Sequence, residues 1–158
     1  MARTHAQIVA DIHAFTEPAN GNWLGLDALI TELWQSGRPQ DAIPDLLGVF
    51  ERMPTAHSGP LWGILHGLEA LPGYEPHVAR SVQRVPAEFG VMMLGRLLNG
   101  GVTDIDGEPI YPMLQAVADN SDLPAEIREM ATGFMERHPH LRPPVAVRHE
   151  VTGRARKK

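Results

Sequence analysis

Residues 61–99 read LWGILHGLEALPGYEPHVARSVQRVPAEFGVMMLGRLLN, and they decide the fold. Apolar residues recur three and four apart, the period of a helix with one buried face, and prolines cut the stretch into three pieces. The first helix is predicted over residues 60–71 and stops at Pro72-Gly73. The second, residues 76–85, turns Val78 and Val82 inward. Pro86 cannot extend it but suits the first turn of the third helix, residues 87–99, which Gly100-Gly101 closes.

The same period continues on both sides. Residues 4–15 form a helix with Ile8, Ile12 and Phe15 on one face, broken by Pro18 and Gly21. Residues 23–35 present Leu26, Leu29, Ile30, Leu33 and Trp34, and Gly37 fits the C-terminal cap. A helix after Pro39 buries Ile43, Leu46, Leu47 and Phe50 and stops at Pro54; Pro44 delays its regular part. Beyond a polar loop at 103–108 come helices at 109–118 and 124–137, the latter capped by Asp122 or a neighbour. No segment alternates as a strand does. Eight short helices with brief links predict an all-α chain of stacked antiparallel pairs, an α-solenoid-like domain over residues 1–141. Alternate helices start near Trp23, Pro60, Ala87 and Pro124 at unequal intervals, so the repeat is irregular. Pro143-Pro144 and a charged end offer nothing to bury, which predicts a flexible basic tail over 142–158.

Composition bounds the function. A chain of 158 residues suits one domain, and no apolar run approaches the roughly 18 residues of a membrane span. Asp11, His13 and Glu17 stand where a secretory leader wants apolar residues, so a soluble, cytoplasmic protein is expected. The absence of cysteine excludes disulfides, thiolate metal sites and cysteine nucleophiles. The net charge of −5 divides unevenly: the tail carries +5 and residues 1–141 carry −10. Such a body repels phosphate backbones and steers a basic partner towards itself, so neither nucleic acid nor membrane is an expected partner.

Trp62, His66 and Glu69 share one helix face; Arg96 and Asn99 share another, as do Ser81 and Arg84. His66 and Glu69 could serve as a metal or acid–base pair. The reading preferred here is a buried structural network in which Glu69 pairs with Arg84 or Arg96 and ties three helices together. Eight histidines are present, yet no HExxH and no paired Glu-x-x-His motif appears, so no metal or other cofactor is expected. Asp104, Asp106 and Glu108 sit in a loop whose Asp106-Gly107 reads as a turn with solvated acids; partner contact and a partial calcium loop are the alternatives. There is no GxSxG elbow and no catalytic residue is assigned. Trp23, Trp34 and Trp62 most simply fill core gaps, and one left exposed beside acids would become a binding anchor.

The central stretch resembles an all-helical family of immunity proteins from bacterial polymorphic-toxin and contact-dependent inhibition systems. The likeness rests on Leu61-Trp62-Gly63-Ile64-Leu65-His66 with Glu69, on Pro72-Gly73-Tyr74, and on Ser81, Arg84, Pro86, Glu88-Phe89, Met93-Leu94 and Arg96-Leu97-Leu98-Asn99. It covers about a quarter of the chain well. The resemblance implies a non-enzymatic protein that binds a cognate toxin domain, with His66, Glu69, Ser81, Arg84, Arg96 and Asn99 as fold determinants. An acidic inhibitor suits a nuclease target, whose phosphate site is basic. Contact with the toxin is expected first at Asp104, Asp106 and Glu108, then at Asp27, Glu32, Asp41 and Asp45. Two other readings stand beside it: a helical-repeat adaptor for another protein or peptide, and a small metal-dependent hydrolase using His66, Glu69 and His57. The sequence assigns no oligomeric state.

Overall fold

The computed structural model describes residues 1–144. Eight α-helices follow in order: α1 His5–Ala14, α2 Leu24–Gln35, α3 Ile43–Arg52, α4 Gly59–Glu69, α5 Glu75–Arg84, α6 Glu88–Asn99, α7 Ile110–Asp119 and α8 Ala125–Glu136. Their ends follow local chemistry. Thr4 and Gln7 form a reciprocal capping box on α1, and the Ser58 hydroxyl accepts the Leu61 N–H at the start of α4. A 3-10 turn, Pro39–Ala42, precedes α3, so the regular helix begins beside Pro44. Gly101, at φ 90°, ends α6: its N–H reaches the Leu98 carbonyl while that of Val102 reaches Leu97.

Three local expectations are corrected. Pro86 lies outside α6, because Ala87 occupies the cap position and the helix starts at Glu88. Asp122 does not cap α8: Pro124 stands there without a side-chain cap, and the Asp122 N–H instead donates to the Asn120 side chain. The loop at 103–108 is not wholly irregular. Asp104–Ile105 (β1) and Glu108–Pro109 (β2) pair antiparallel about Asp106 and Gly107, both at positive φ, 51° and 83°. This is the tight hairpin that an Asp-Gly pair favours.

The helices stack in two layers. α1, α3, α5 and α7 pack side by side in one; α2, α4, α6 and α8 do so in the other; each odd helix also packs on the even helix that follows. That alternation is the architecture of a helical solenoid, with hairpins as the stacked units. One buried cluster runs through all eight helices, from Ile8 and Ile12 through Leu46, Leu65 and Leu94 to Ile127 and Met135. Two glycines set how closely the even layer packs. A Cβ at Gly67 would stand 2.5 Å from the Trp34 ring, and one at Gly95 would enter the Phe134 ring.

Past α8 the chain makes a 3-10 turn at Pro139–Leu141. From residue 145 onward, the predicted basic tail lies outside the described residues. Among the described residues, no helix is long and apolar enough to cross a membrane.

Candidate functional site

The odd-helix layer carries two adjoining grooves. One of about 440 Å³ lies among His13, Pro44, Asp45, Glu51 and Val85 on α1, α3 and the end of α5. The other, about 470 Å³, runs between α5 and α7 over Val82, Pro86, Pro109, Pro112 and Met113, with Glu108 on its rim. Arg84 lines both. It donates to Glu51 through Nε (2.8 Å) and Nη2 (3.2 Å), so its charge is returned by a carboxylate of the same wall.

The hairpin brings Asp104, Asp106 and Glu108 together beside this layer. Asp104 accepts the Gly107 N–H at 3.2 Å and Glu108 accepts the Gln83 amide at 3.2 Å. Among the described residues no cation lies within ion-pair distance of these three, nor of Asp27. Of the other acids singled out in the sequence, Glu32 is paired by Arg3 at 3.7 Å and Asp41 by Arg38 at 2.6 Å, while Asp45 meets the His13 ring at 2.6 Å, a partner that cancels its charge only when protonated. Neutral contacts at the hairpin therefore leave its charge intact, whereas paired acids present little net field.

The polar motif of the central stretch divides into separate contacts instead of one buried network. Glu69 takes Arg96 in a two-pronged pair, 2.6 Å and 3.0 Å, joining α4 to α6. Arg84 reaches Glu51, not Glu69. The Asn99 side-chain Oδ1 meets His138 Nε2 at 2.8 Å and ties α6 to the segment just past α8. Ser81 is buried, while His66 is exposed and stacks on Trp62 with ring centres 5.9 Å apart. The motif thus holds neighbouring helices at the surface of the stack. The Glu69 bond raises the Arg96 pKa; burial, then the Glu75 and Glu69 charges, raises that of Tyr74 in the same pocket.

Sequence reasoning quotes Glu88 within the central stretch but gives it no role. It is 3% exposed, in the first turn of α6, and His57 Nε2 approaches its Oε2 to 2.5 Å in an orientation that completes no hydrogen bond. Its neighbour Phe89 carries Trp62 edge-on, and Trp62 is 39% exposed, an unfilled role for a supposed core residue. The period of α6 held the signal, since Glu88 lies on the face of Val91 and Gly95, but a charge in a first turn ordinarily reads as a dipole partner. Near this edge Trp23, Leu24, Asp27 and Pro60 line a further groove with His57, of about 610 Å³.

No cluster of three or more His, Asp or Glu side chains able to hold a metal ion occurs among the described residues. His66 and Glu69, the residues of the hydrolase reading, are engaged separately by Trp62 and Arg96. Compared with known family models, with curated proteins and with solved structures, the chain matches none, so the likeness to immunity proteins rests on its residues alone.

Proposed function

We propose that this chain works by binding, as an immunity protein that neutralises a cognate bacterial toxin domain in a stoichiometric complex in the cytoplasm. The observation that carries the reading is the odd-helix face: adjoining grooves on a rigid helical stack, beside carboxylates that no described cation neutralises. A stack of helices offers a broad preformed surface, and uncompensated negative charge accelerates capture of a basic partner. A nuclease domain, with a basic phosphate-binding cleft, is the target class that such a surface suits. Catalysis has less to draw on, because Glu69, Arg84, Arg96 and Asn99 of the central motif are engaged in contacts between elements, and His66 stands apart from them on the Trp62 ring.

The test is co-expression with the C-terminal toxin domain encoded by the adjacent reading frame. Restored growth together with an equimolar co-purified complex is the expected result. Failure of both, with each protein folded, defeats the immunity reading. Stoichiometric zinc, iron or manganese in the purified protein would count for the hydrolase instead.

A further inference from the structure

We infer that the groove between α5 and α7 is the docking site for a basic segment of the partner, one that sets an aliphatic side chain beside a lysine or arginine. The inference rests on the reading of the chain as a protein-binding stack and names where, and by what chemistry, the partner is held.

The groove floor is apolar and preformed. Val82, Met113 and Val117 are buried beneath it, and Pro86, Pro109 and Pro112 line it. Proline rings hold their backbone dihedrals, so the wall loses little freedom when it is covered. They also lack N–H donors, so those parts of the wall cannot recognise a strand by backbone pairing. What remains is side-chain insertion over the floor and charge at the rim.

The rim selects the sign. Glu108 lines the groove, and its contact there is the neutral Gln83 amide. Asp104 and Asp106 follow in the same hairpin with no described cation in reach. The cation in the wall, Arg84, is already held by both oxygens of Glu51. A cationic side chain entering here meets Glu108 on the rim, within the longer-range field of Asp104 and Asp106 in the same hairpin, whereas an acidic one meets Glu108 and that field in repulsion.

The experiment uses the full chain, labelled with nitrogen-15, and two synthetic peptides: four repeats of Arg-Leu-Ala and four of Glu-Leu-Ala. The basic peptide should shift the amides of residues 82–86 and 104–117, and the acidic peptide should not. A triple variant, Asp104→Asn, Asp106→Asn and Glu108→Gln, keeps an acceptor oxygen for the Gly107 N–H and for the Gln83 amide; it should weaken the basic peptide about tenfold at low salt. Ala116→Arg, at an exposed groove position on α7, should abolish the shifts without unfolding the helix. Equal binding of both peptides, binding of neither, shifts confined to another surface, or self-association through this groove overturns the inference. The growth assay separates this result from the parent reading. If the native chain rescues and both variants rescue as well, the groove assignment fails and immunity stands. If the native chain does not rescue, immunity fails, while the peptide map still decides whether the groove binds basic segments.

Discussion

At the scale of single residues, Glu88 is the sharpest test of the structure. It is the one carboxyl side chain buried among the described residues, and its partner, His57, has a side chain 62% exposed. His57→Ala removes that partner and leaves a carboxylate in the core, which should cost about 1–3 kcal/mol in urea unfolding. Glu88→Gln keeps the shape without the charge, so adding it to His57→Ala should recover much of the loss. If the double variant is as unstable as His57→Ala, the pairing is not what matters there. His77 gives a second reading, through pH. Burial, then Arg80, lowers its pKa below the ordinary value near 6.5. The folded state therefore prefers the neutral ring, a contribution present above the unfolded pKa and lost as pH falls through it towards the folded one. Stability should decline from pH 7 to 5, and His77→Gln should make that decline shallower; an unchanged slope would show that His77 does not contribute to it.

At the scale of elements, the helices were legible because each carries its own period and its own breakers. Ile43, Leu46, Leu47 and Phe50 lie on one face of α3, and all four are buried. Gly37 and Gly101, both at positive φ, sit where helices end. What local sequence could not show is distance between elements. Gly67 and Gly95 look like weak points within helices, yet they are where α4 meets Trp34 of α2 and α6 meets Phe134 of α8. Gly95→Ala would raise the intrinsic helix propensity of α6 and still push α8 away, so a net loss of about 1–3 kcal/mol is expected from the overpacking. A stabilised Gly95→Ala protein would mean that Phe134 moves aside freely. The same blindness explains the polar motif. Spacing put Glu69 within reach of either Arg84 or Arg96, and only the stacking order of the helices gives Glu69 to Arg96 and Arg84 to Glu51. Glu88 has no role in that reading for the converse reason, since its partner His57 comes from a loop that no helical period describes.

At the scale of the whole molecule, charge is where stability and binding pull apart. Residues 1–141 carry −10, and mutual repulsion of that size opposes compaction. The hairpin carboxylates sharpen the conflict, because among the described residues none is repaid by an ion pair. Were they structural, their loss would cost stability. Were they held for a partner, their loss would be neutral or favourable to the fold and harmful only to binding. The Asp104→Asn, Asp106→Asn, Glu108→Gln variant decides between these, since amides preserve the acceptors used by Gly107 and Gln83. Thermal and urea unfolding should show it unchanged, or more stable by up to about 0.5 kcal/mol at low ionic strength. The difference should fade as added salt screens the repulsion that the native chain retains. A loss above about 1 kcal/mol, insensitive to salt, would instead make the hairpin acids part of the scaffold. The acidic rim would then say nothing about a partner, and the groove would have to be argued from its apolar floor alone.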